Sequence, residues 1–168
     1  MRMVFTLLSA LFLLTGAICS GGEDGQFALM LSESIGSYRI DQPAAEVEKS
    51  LPEKPEKGEE EWWGADGGFH QEWICRDSGL HFDMVANSKG GKQIVSAITM
   101  VAPCKLKTAR GIGVGAARGE VLKAYGDDIK EGNPRKDEKL VAGSIYGGIV
   151  FTLENDRVVK IFLGAAAE

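Results

Sequence analysis

The sequence predicts an α+β fold of two tandem units, each a short helix followed by an antiparallel β-meander, with the helices packed on one face of a sheet. Three observations carry this expectation. Tyr38 to Val47 (Tyr-Arg-Ile-Asp-Gln-Pro-Ala-Ala-Glu-Val) lies without a gap over Ile112 to Val121 (Ile-Gly-Val-Gly-Ala-Ala-Arg-Gly-Glu-Val). Apolar and polar residues then alternate, as half-buried antiparallel strands require. Gly79-Leu80-His81-Phe82 overlies Gly148-Ile149-Val150-Phe151, so a helix and a meander follow each other twice in the same order.

In the first unit Asp41 is the expected N-cap, its carboxylate accepting from the free amides of the first turn, and Pro43 fits that turn because no intrahelical donor is needed there. Ala44, Val47 and Leu51 share one face at helical spacing. In the second unit Gly115 takes the cap position, Val121, Leu122 and Tyr125 form the apolar face, and Gly126 stops the helix. Each helix has about three turns, too few to persist alone in water, so each must lie on a sheet.

Strand candidates in the first unit are Glu60 to Trp63, Phe69 to Arg76, Leu80 to Ala86 and Lys92 to Val101, separated by Gly-, Asp-, Asn- and Ser-rich turns. Leu80, Phe82 and Met84 alternate with His81 and Asp83. In the second unit Ile149, Phe151 and Leu153 alternate with polar or outward positions, Asn155-Asp156 forms a tight hairpin, and Val159, Ile161 and Leu163 are expected to face one way. Glu48 to Glu61 and Asp127 to Lys139 are charged, Pro- and Gly-bearing stretches and read as loops.

Residues 1–19 read as a secretory signal peptide: Arg2, an apolar run from Val4 to Leu14, then small residues up to Ser20. That run is too short to span a bilayer, and no later segment is apolar enough to enter one. The expected organisation is therefore a signal peptide over 1–19, a first unit over 20–104 and a second over 105–168, in a periplasmic or secreted protein. An alternative is a lipoprotein anchored through Cys19. If Cys19 leaves with the signal, Cys75 and Cys104 are expected to pair in an oxidising compartment. Closing their loop would stabilise the fold by ~3–4 kcal/mol in the chain-entropy view.

The formal net charge is −5, which argues against nucleic acid as a partner. The charge is uneven, mostly acidic from Glu46 to Asp77 and basic from Lys89 to Lys123.

The second copy, Gly111-Ile-Gly-Val-Gly followed by Glu120-Val-Leu and Tyr125-Gly126, and then Gly148-Ile-Val-Phe-Thr-Leu-Glu-Asn-Asp-Arg-Val-Val-Lys-Ile161, resembles the repeat of beta-lactamase inhibitory protein and the small outer-membrane assembly lipoproteins. The resemblance runs from about residue 36 to the end. It implies one or two short helical segments on an antiparallel sheet, and a binding protein rather than an enzyme. No catalytic residue comes with it.

The residues themselves offer little catalytic chemistry. Gly111, Gly113, Gly115 and Gly119 lack the spacing of a phosphate-cradling loop and read as caps and turns. No Ser lies in a nucleophile elbow, and His70 and His81 are not spaced with the cysteines as metal ligands. Neither a cofactor nor a metal is expected. The acids Glu59, Glu60, Glu61, Asp66 and Glu72 could supply a hydrolytic pair, but such a run is more simply a solvated loop.

The aromatic cluster is more informative. Trp62, Trp63, Phe69 and Trp73 fall within a dozen residues, and adjacent Trp62 and Trp63 on a strand must point to opposite faces. Exposed Trp beside charge has the composition of an interface anchor. These four residues are the expected contacts to another exported or envelope protein, with the chain acting as an inhibitor or immunity factor. The alternatives are an envelope assembly or maintenance component and a small periplasmic hydrolase, the latter needing a concave pocket that holds a carboxylate of raised pKa.

Overall fold

A computed structural model describes residues 24–129 and 138–166; the stretch read as a signal peptide and Cys19 lie outside the described residues. The fold is α+β, with one antiparallel eight-stranded sheet and a few short helices. Helix α1 spans Asp24–Ser32, α2 Ala44–Ser50 and α3 Arg118–Tyr125. The strands are β1 Glu56–Lys57, β2 Glu61–Trp63, β3 Gly68–Cys75, β4 Leu80–Ala86, β5 Ile94–Val101, β6 Lys139–Ser144, β7 Gly147–Glu154 and β8 Arg157–Gly164.

Their order in the sheet is β1-β3-β4-β5-β8-β7-β6, with β2 also paired to β3. Two meanders, β3-β4-β5 and β6-β7-β8, thus join through their last strands. Ile98 faces Leu163 and Met100 faces Ile161 across that seam. No helix among the described residues is long and apolar enough to cross a membrane.

The alternation of the sequence becomes two sheet faces. Leu80, Phe82 and Met84 are buried on one face with Ile98, Met100, Ile149, Phe151, Ile161 and Leu163. Val47 of α2 and Val121 and Tyr125 of α3 complete the same core, and Leu29 and Met30 of α1 pack against it. Tyr38 meets Phe82 edge-on at 5.1 Å between ring centroids, and Tyr125 meets Phe151 at 5.0 Å. Both contacts join the segments outside the sheet to its inner face. His81, Asp83, Thr99 and Phe162 lie on the opposite face, which no helix among the described residues covers.

Both helices begin at the aligned positions, but neither is capped as expected. The N-cap residues are Pro43 and Ala117, and neither Asp41 nor Gly115 occupies that place. Both instead adopt positive φ two residues earlier, +63° at Asp41 and +88° at Gly115, a backbone that Gly takes freely and Asp tolerates. From that turn three backbone bonds reach the last strand of each meander or the residue just ahead of it. The N–H of Asp41 donates to Val95 O at 2.9 Å and that of Gly115 to Val158 O at 2.7 Å. Val95 N–H donates to Gln42 O at 3.0 Å, as Val158 N–H does to Ala116 O at 2.9 Å. Ala44 N–H donates to Gln93 O at 3.0 Å and Arg118 N–H to Asp156 O at 2.9 Å.

Gly126 does not end α3 in a left-handed cap: its φ is −56°, and the chain runs on into a 3-10 turn over Gly126–Asp128. The Asn155-Asp156 hairpin has both residues at positive φ, +50° and +62°, the mirror-image turn whose twist suits paired strands. A register shift between Thr152 and Leu153 lies beside it, so Val158, not Val159, shares the buried face with Ile161 and Leu163. Two stretches expected as loops carry strand: β1 lies within Glu48 to Glu61, and β6 begins at Lys139.

Candidate functional site

The uncovered face of β3, β4, β5 and β8 carries a hollow of about 480 Å³. Its shape follows from the pairing. The short β2 folds back on β3 with Glu61 opposite His70 and Trp63 opposite Gly68, which brings Glu61 and Trp63 to the rim. Glu72 faces Asp83, and His81 faces Thr99, which in turn faces Phe162. Beside Phe162 the floor is built from small residues: a Cβ on Gly164 would approach that of Ala97 to 2.8 Å. A second depression of about 260 Å³ shares Trp63, His70, Asp83, Ala97 and Phe162 with the first.

At the heart of the site His70 is only 4% exposed. Its Nδ1 lies 2.7 Å from Oδ2 of Asp83 and its Nε2 2.8 Å from Oδ2 of Asp66. The Trp63 indole lies flat on the ring, 3.9 Å between centroids and 9° from parallel. Burial pushes the Asp83 carboxyl above its ordinary pKa, against the lowering effect of His70 and the Ser96 hydroxyl. Asp66 goes the other way: the Gly68 N–H, donating to Oδ1 at 3.0 Å, holds its carboxyl below the usual range, with His70 acting in the same direction. Both ring nitrogens of His70 are taken up by Asp83 and Asp66, so neither is open in this arrangement to hold a metal or activate a nucleophile. Among the described residues no group of three or more His, Cys, Asp or Glu side chains is arranged to hold a metal ion.

The hollow is acidic. Glu59, Glu61, Glu72 and Asp83 line it against the single lysine Lys160. The arrangement can therefore attract and orient a cation beside an aromatic wall.

The four aromatic residues separate. Trp63, 38% exposed, walls the hollow. Trp62, 61% exposed, pairs with Phe69 on the other side of the sheet edge, and Phe69 is half-buried. Trp73 is 2% exposed and belongs to the core; its Nε1–H donates to Gln71 Oε1 at 2.9 Å, and the Lys57 ammonium covers its ring at 3.8 Å. Only Trp63 of the four joins the site. Sequence reasoning treated His70 and Asp66 separately, as a non-ligand and as one acid of a solvated loop.

Cys75 and Cys104 are both buried and stand as separate thiols. Burial pushes the Cys75 thiol up to about 11 and raises that of Cys104. Both lie close enough to Tyr38 to bear on its hydroxyl.

No family model, no curated protein and no solved structure matches the chain.

Proposed function

We propose that the chain is an exported, non-enzymatic binding protein that engages another exported or envelope protein through the uncovered sheet face, seating a basic side chain of that partner in the acidic hollow against Trp63. One observation carries the reading: a concave, acid-rimmed, aromatic-walled surface on a sheet whose other face carries the core. An arginine or lysine there gains carboxylate partners and an indole or phenyl face together. The likeness to beta-lactamase inhibitory protein and the small assembly lipoproteins points the same way. We read the two meanders with their helices as tandem units; the three matched backbone bonds ahead of α2 and α3 support this. Export would further favour joining Cys75 to Cys104.

The test is capture from periplasmic and culture extracts with three baits. The reading expects a protein retained by the wild type and by Trp62→Ala but lost with Glu72→Lys, which reverses charge in the hollow. Retention by all three, or no specific capture, would remove it. Membrane association of an acylated Cys19 would favour an envelope assembly role for the same face.

A hydrolase is the second reading, favoured by one feature: Asp83, with its raised pKa, faces Glu72 across the strand pair inside the hollow. It requires an activity that Glu72→Gln abolishes while the fold persists.

A further inference from the structure

The hydrogen count of the His70 cluster leads beyond the binding reading. Two short contacts, His70 Nδ1 to Asp83 and His70 Nε2 to Asp66, each need a hydrogen between two electronegative atoms. A neutral imidazole brings one N–H, and an ionised carboxylate brings none. The second hydrogen is an added proton, so the closed clasp is the protonated form of the three groups, with net charge −1.

We propose that this clasp is a proton-operated latch that fixes Trp63, and so regulates the face to which binding is assigned above. Loss of the proton leaves a ring lone pair opposed to a carboxylate, and that contact must open. It opens at Asp66. Asp83 sits on the interior strand β4, its side chain 23% exposed and held by the Ser96 hydroxyl, so the remaining N–H stays with it. Asp66 is 51% exposed, in the turn between β2 and β3 where Gly67 has φ +73° and open space around it. Water can replace its bond to the ring. Trp63 adjoins that turn and stacks on the ring itself, so release of Asp66 frees the indole.

The other titratable or charged groups that line the hollow with the ring are Glu59 just ahead of β2, Glu61 from β2, Glu72 from β3, His81 from β4 and Lys160 from β8. The nearer acids favour the protonated cluster, and Lys160 opposes it. The direction follows: the Trp63 wall is set at lower pH and loosens as pH rises through the cluster's titration. The consequence for affinity rests on the proposed function, but the latch is a property of the free protein.

The test is two-dimensional NMR of the Trp indole N–H groups in the free full-length mature protein, from about pH 5 to about pH 8, the window in which a histidine side chain changes charge. The expected result is a one-proton shift and broadening of the Trp63 signal with the Trp73 signal still, unchanged in His81→Gln. Asp66→Asn offers an amide donor to the neutral ring, so it should hold the Trp63 signal in its low-pH position throughout; Asp66→Ala should hold it in the high-pH position. A Trp63 signal that ignores pH, or both Asp66 variants titrating like the wild type, would overturn the latch. Either outcome leaves the binding reading to its own capture experiment. Conversely, a titrating Trp63 with no partner lost in Glu72→Lys would keep the latch and remove the binding role.

Discussion

Trp63 rests its indole on the imidazole of His70, 3.9 Å between ring centroids and 9° from parallel. The stack turns a residue at the end of a three-residue edge strand into a fixed wall of the hollow, because the ring beneath it is held at both nitrogens.

Trp63 and its neighbour should therefore separate in binding. Trp63→Ala is expected to weaken a captured partner by ~2 kcal/mol or more, about thirtyfold, as for a central interface aromatic. Trp62→Ala, on the other side of the sheet edge, should change affinity by less than about threefold. Titration calorimetry of both variants reads this directly.

The two ends of the clasp should differ in stability. Asp83→Ala leaves a buried ring N–H without a partner and should cost ~1–3 kcal/mol. Asp66→Ala removes an exposed partner that water replaces and should cost less than ~1 kcal/mol. Urea unfolding at neutral pH checks the pair.

Glycines four positions apart should respond with opposite signs. Gly115, at φ +88°, has space for a methyl but the wrong backbone for it, so Gly115→Ala should destabilise by ~1–2 kcal/mol. Gly119 is the second residue of α3 with nothing near its missing Cβ, so Gly119→Ala should stabilise by up to ~0.5 kcal/mol. Thermal unfolding of both variants measures the difference.

Alkali should weaken the reduced protein. Burial raises the pKa of Cys75 to about 11 and raises those of Tyr38 and Tyr125. The unfolded chain releases these protons first, from an ordinary 9.0 for the thiol and 10.0 for the phenols. Their contribution is thus fully present below about pH 9 and is lost as pH rises through the folded-state values. The urea midpoint should be level from neutrality to about pH 8 and fall beyond about pH 9.5. A midpoint that rises there contradicts the assignment.

Much of the scaffold was legible in the chain because it is periodic. Leu80 to Ala86 is a strand over those very residues, and Asn155-Asp156 is the hairpin turn that its dipeptide suggests. Both helices start where the aligned segments place them, although the turn ahead of each is set by positive φ at Asp41 and Gly115 rather than by a side-chain cap. Helix α1 was missed because its apolar residues, Phe27, Leu29 and Met30, follow no single helical stripe and are fixed by packing against β6 and β7. Val159 was misplaced because a bulge shifts register after the pattern has been established.

The site was the least visible part. Asp66, His70 and Asp83 come from a turn and two strands, and only the β2–β3 and β3–β4 registers bring them together. A local signal existed in the polar His70 and Asp83 within otherwise apolar alternation, but nothing in linear order links them. Trp73 read like its neighbours, yet its register opposite Phe82 places it in the core.

Hydroxyl-radical footprinting of the captured complex, read by mass spectrometry on side chains, tests most directly whether the uncovered face is the one that binds. Protection of Trp63, His81 and Phe162, with Trp62 and Leu31 still reactive, is the expected result. Protection confined to the helical side, with Trp63 oxidised as fast as in the free protein, would contradict it.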